Sequence, residues 1–192
     1  MNVPNGDYMA SLLHTAYCDN SVKDEPEFKN VRDILSDDNW LLVFNRVLWT
    51  EDGVYVVPDL EAVGLSKPLN QNDLEEMLKG SKEVNGLRFN KDKTVRFAEK
   101  GSYNLGVHTP ESLAKDGFVI ASYDFAGAAK LGEVSTKFND PPQTHGLDVE
   151  KGESPELRVS ALNERFINGF RLFVSGHIFD DSGDCRGFGV LE

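Results

Sequence analysis

Cysteine is nearly absent from this chain: Cys18 and Cys185 are the two in 192 residues. Two thiols cannot build a disulfide scaffold, so stability has to come from a hydrophobic core, and reduced thiols are expected. Also missing is any apolar run near the roughly 18 residues that a membrane-spanning helix requires. The first seven residues, Met1-Asn-Val-Pro-Asn-Gly-Asp7, contain no basic segment and no apolar core of an export signal. Together these absences lead to the expectation of a cytoplasmic protein with no membrane partner.

Positive charge is in deficit as well. Lys and Arg number 20 against 32 Asp and Glu, giving a net charge of −12. The acids are spread along the chain, and no basic stripe interleaved with aromatics occurs. Such a field repels phosphate backbones, which argues against nucleic acid and leaves a basic protein surface, or solubility alone, as its use. No Gly-x-Ser-x-Gly, Cys-x-x-Cys or His-Glu-x-x-His is present. The glycine-rich stretches 101–106 and 183–189 fit neither a phosphate loop nor a dinucleotide fingerprint.

What the chain does contain is a run of amphipathic and β-rich segments, with 40% apolar and 27% charged residues, typical of a globular protein. Residues 5–17 read as a first helix capped by Asp7. A second starts at Pro26, with Phe28, Val31, Ile34 and Leu35 on one face. The β-rich runs 40–49 and 54–57 flank Glu51-Asp52-Gly53, a hairpin signal, and Pro58 ends the second strand. A third helix is expected over 72–79 and a second hairpin over 87–97. A short turn of helix is expected after Thr109, then a strand over 118–123 and a helix over 126–137. Residues 139–156 are polar, rich in Pro and Gly, and expected to be an irregular loop or linker. Strands over 157–162, 170–179 and 186–191 complete the chain. The order predicts one α+β domain over 1–192, a mainly antiparallel sheet built from hairpins with helices packed on one side.

Three of the four histidines stand three residues before a carboxylate: His108/Glu111, His145/Asp148 and His177/Asp180. Imidazole and carboxylate together can bind a metal or move a proton, although an acid-rich chain makes such spacings common. The segment 177–185 collects His177, Asp180, Asp181 and Asp184, a candidate site for a divalent metal ion. The same residues also suit a plain hairpin turn. A second constellation has His108 as general base with Glu111, oriented by Asp124 at the end of the 118–123 strand. Lys100, Tyr103 and Tyr123 are the candidate ligand-binding residues near it.

The leading functional expectation is a binding protein that meets a basic protein surface through an acidic face. The alternatives are a metal-dependent hydrolase or other metalloenzyme built on the acidic His/Asp turn, and a small-molecule-binding domain.

Overall fold

In the computed structural model, which describes residues 4–36, 40–165, 170–178 and 185–187, the β-rich run after residue 39 forms β1 (Trp40–Thr50) and returns as β2 (Gly53–Pro58). Further along come β3 (Glu83–Val84), β4 (Leu87–Phe89), β5 (Arg96–Glu99), β6 (Gly106–Val107) and β7 (Gln143–His145). The last three are β8 (Glu156–Arg165), β9 (Arg171–Ile178) and β10 (Cys185–Arg186). They join one sheet in the order β3-β4-β5-β2-β1-β8-β9-β7-β6, with β10 beside the start of β1. Pairing is antiparallel except at β1·β10 and β7·β9. The α+β class and the mainly antiparallel sheet follow from the hairpins that the turn signals predict.

The helices are α1 (Gly6–Cys18), α2 (Pro26–Ser36), α3 (Gln71–Met77), α4 (Pro110–Leu113) and α5 (Gly117–Ser135). Asn5, not Asp7, caps α1, its side chain accepting from the Tyr8 amide. Asn70 caps α3 in the same way, ahead of the expected start. Side chains alternate along β1, so Val47 and Trp49 face one side of the sheet and Leu48 the other. On the first side they pack with Leu13, Leu35, Leu113 and Phe118 from α1, α2, α4 and α5. On the second side Leu48, Tyr55 and Phe97 meet Leu74 of α3 and Leu78 just after it. The short α3 therefore covers the face that the four other helices leave open. No helix among the described residues is long and apolar enough to cross a membrane.

Residues 118–123 are helical, not a strand. They form the first half of α5, with Asp116 as the cap accepting from the Val119 amide. All six are buried, so the segment is apolar on every side and its periodicity is hidden, which makes a buried helix read like a buried strand. The helix breaks at Asp124, where φ is 60° and ψ is 170°. Two carbonyls released by the break are capped from the sheet. Arg96 Nη1 donates to Ala121 O at 3.3 Å, and Asn45 Nδ2 donates to Ser122 O at 2.9 Å. A bulge in β1 between Val43 and Arg46 accompanies the placement of Asn45.

The expected irregular loop 139–156 is also partly ordered in the sheet. Its residues 143–145 form β7, inserted between β6 and β9. The long connection is thus two loops on either side of a short strand, which a polar sequence of three residues cannot announce. The strand expected over 186–191 is described only at its beginning, in β10; residues 188–192 lie outside the described residues.

Candidate functional site

His108 follows the edge strand β6 and is buried. Its Nε2 lies 2.9 Å from Asn104 O and 3.0 Å from Thr144 Oγ1, and its Nδ1 lies 3.2 Å from Ser112 Oγ. A carbonyl at Nε2 calls for the proton there, and the Ser112 hydroxyl beside Nδ1 itself donates to Thr109 O at 3.1 Å. Among the described residues the carboxylate nearest this ring is Asp116, 3.9 Å from Nε2. Burial raises the Asp116 pKa, against the pull of amide hydrogen bonds from Asn104 and Val119 and of the imidazole. Both ring nitrogens of His108 are therefore occupied by groups that tie the 104–116 segment to β7.

The other members of the expected acid–base constellation lie elsewhere. Glu111 is exposed on α4, its carboxyl held below the ordinary range by its own backbone amide and by the Thr109 hydroxyl. Asp124 sits at the α5 break and pairs with Lys93, not with His108. Burial opposes its ionisation, but Lys93, the Phe125 amide and Arg96 together hold its carboxyl below the usual value. Tyr123 is fully buried beside this break, and burial drives its phenol far upward. Tyr103 stacks edge-on against Trp49 with ring centroids 5.7 Å apart, and burial pushes its hydroxyl up to about 12. Lys100 clamps the later loop, its Nζ 2.7 Å from Asp148 and 2.9 Å from Val149 O.

Of the expected metal ligands, only His177 is described; Asp180, Asp181 and Asp184 lie outside the described residues. His177 meets a second histidine of the same spacing pattern, His145, with ring centroids 5.0 Å apart and planes at 81°. Among the described residues no three His, Cys, Asp or Glu side chains gather as a metal cluster. Cys18 is half-buried and its thiol is raised, by burial first, which argues against a thiolate nucleophile.

One concave stretch of the surface wraps the C-terminal end of α5, apart from a cleft of ≈ 220 Å³ lined by Leu42, Phe44, Asp59 and Val159. A cleft of ≈ 220 Å³ between α4 and α5 is lined by Pro110, Glu111, Glu133 and Thr136 among others. It adjoins a cleft of ≈ 460 Å³ that shares Pro110 and Thr136 and adds Val107, Phe138 and Asp140. A third, ≈ 240 Å³, shares Phe138 and Asn139 and adds Tyr17, Lys137, Glu164 and Phe170. Shared walls make these one furrow. Four carboxylates border it, Glu111, Glu133, Asp140 and Glu164, against one lysine, Lys137.

One further feature adds to that negative field, and one imidazole lies against it. The last turn of α5 carries no basic residue, so the carbonyl end of the helix, worth about half a negative charge, faces the same region. His14 lies 2.8 Å from Glu133 and is the one imidazole directed at these carboxylates among the described residues. Exposed apolar side chains stand among the acids. Val107 on the edge strand is 63% exposed and Phe170 37%, large side chains for open positions. Sequence reading missed this furrow because its residues come from five separated stretches, and only the overall acidity signalled it.

Compared with protein-family models, with curated proteins and with solved structures, the chain matches none of them.

Proposed function

We propose that this protein is a binding module whose furrow at the end of α5 receives a basic, extended segment of a partner protein. The observation that carries the reading is the furrow itself: three adjoining clefts with four carboxylates, a helix carbonyl terminus and one lysine. Three adjoining clefts with exposed apolar side chains beside them suit an extended chain better than a compact metabolite. Its charge suits Lys and Arg, which complement acids across an interface and speed encounter. The furrow also runs beside β6, the outermost strand in the sheet order, where backbone groups of an edge can pair with an incoming strand. For His108, the engagement of both ring nitrogens by protein groups favours a positioning role over a general base.

The test is fluorescence anisotropy with labelled 12-residue peptides that alternate Lys or Arg with Val, Leu or Phe. Binding should weaken as NaCl rises from 50 to 500 mM. Asp140→Lys and Glu111→Lys should each reduce affinity several-fold. Glu83→Lys, on the strand at the opposite end of the sheet, makes the same change in net charge and should have little effect. Equal losses in all three variants would mean that net charge alone attracts the peptides, and the furrow would have no claim.

A further inference from the structure

The His145/His177 pair is created by the sheet and by nothing local in the sequence. β7 and β9 run parallel with His145 opposite Ser175. His177 stands two residues further along β9, where that strand shifts register against β8 between Ser175 and Ile178, and there its ring meets that of His145. Thr144 and Val174, the pair preceding His145 and Ser175, are buried, and Thr144 reaches His108. His108 has partners of its own in Asn104, Ser112 and Thr144, and the three-histidine pattern divides into two and one.

Both imidazoles stand on strands of the sheet rather than on loops, His145 at the end of the β7·β9 ladder and His177 two residues beyond it. Preorganisation of that kind is what a metal site needs from its scaffold. At 5.0 Å between ring centroids and nearly perpendicular planes, small rotations about the side-chain torsions can direct one nitrogen of each ring toward a common point. Nearby charge is close to balanced, since Arg158 Nη1 binds Glu156 Oε2 at 2.8 Å. Burial, then His145 and Arg158, lower the His177 pKa against the opposite pull of Glu156. A neutral ring at neutral pH is the form that ligates.

We propose that His145 and His177 form a two-imidazole site for a divalent transition-metal ion of the nitrogen-preferring kind, Cu²⁺, Ni²⁺ or Zn²⁺, with solvent completing the coordination. Oxygen-seeking Mg²⁺ should not bind there. The site is independent of the α5 furrow.

The experiment uses the tag-free full chain, stripped with chelator, in thermal melts with each of the four ions. An ion held by the native state at about a hundredfold over its Kd should raise Tm by roughly 5–10 °C at this size. His145→Gln and His177→Gln should each remove most of the shift, while His14→Gln should keep it. In the unmutated chain, substoichiometric Cu²⁺ should broaden the imidazole NMR resonances of His145 and His177 before those of His14 and His108. That second readout does not depend on the variants folding. No shift with any of the three ions, a shift that survives both substitutions, or broadening centred on other histidines would overturn the assignment.

Discussion

Asp116 Oδ2 stands 3.9 Å from His108 Nε2, and both side chains are buried where α4 hands the chain to α5. The carboxylate does three things at once. It caps α5 through the Val119 amide at 3.1 Å, accepts from the Asn104 amide at 2.8 Å, and offers charge to the imidazole.

Asp116→Ala should therefore cost about 2–4 kcal/mol, combining a lost helix cap with a buried amide left unpaired. Asp116→Asn keeps one acceptor oxygen and loses the other to an amide nitrogen that cannot accept, so it should recover only part of that loss. Urea denaturation of the two variants measures the difference. Equal losses would mean that the ion pair with His108, and not the hydrogen bonds, holds this junction.

Asp124 occupies backbone space that only glycine enters freely, at φ 60° and ψ 170°. Such a conformation costs on the order of 1–3 kcal/mol for a residue with a side chain. Against that, the Lys93 pair is partly exposed and worth at most about 1 kcal/mol. Asp124→Gly should thus leave stability within about 1 kcal/mol of the parent or raise it, after the unfolded-state entropy of glycine is counted. Asp124→Val should destabilise clearly. A large loss in the glycine variant would show that the carboxylate contacts, and not the backbone, define the break.

The hairpins and amphipathic helices were legible because their signals are local: Glu51-Asp52-Gly53 between β-rich runs, and the spaced apolar residues of α2. The first half of α5 was not, since residues 118–123 are buried on all sides and show no period. Asp124 looked like a strand end and is in fact a helix break whose carbonyls are capped by Arg96 and Asn45, residues 28 and 79 positions away. Partnerships at that range leave no trace in spacing. The same holds for His108, whose carboxylate neighbour is Asp116 rather than Glu111 or Asp124. The spacing pattern of the histidines did contain one true proximity, that of His145 with His177.

The depressed His177 pKa sets a direction for the pH dependence of the metal-free protein. The folded state binds this proton less readily than the unfolded chain, whose ordinary value is 6.5. Proton uptake below that value therefore favours unfolding. Stability should fall as pH drops through 6.5, and this group should contribute no further change above it. His177→Gln should flatten the decline between pH 7.5 and 5.5 in urea melts run with chelator. An unchanged slope would assign the acid sensitivity to other groups.

Gly6 tests how closely α1 must approach the α5 break. A Cβ at this position would lie 2.0 Å from Ser122 O, a backbone atom that cannot rotate away. Gly6→Ala must displace either α1 or the capped carbonyl, and overpacking of this kind costs typically about 1–3 kcal/mol. Gly127, also on the α1·α5 interface, is the natural comparison. Its added Cβ would meet Tyr123 Cβ at 2.9 Å and Ala10 Cβ at 3.3 Å, and alanine there regains up to about 1 kcal/mol of helix propensity. Gly6→Ala should therefore be the more damaging of the two in thermal melts. Because α1 also carries His14 against Glu133 and Tyr17 into the furrow, its displacement should weaken binding of the basic peptides as well. Loss of stability with peptide affinity unchanged would separate the furrow from the position of α1, placing its binding determinants on α4 and the end of α5 alone.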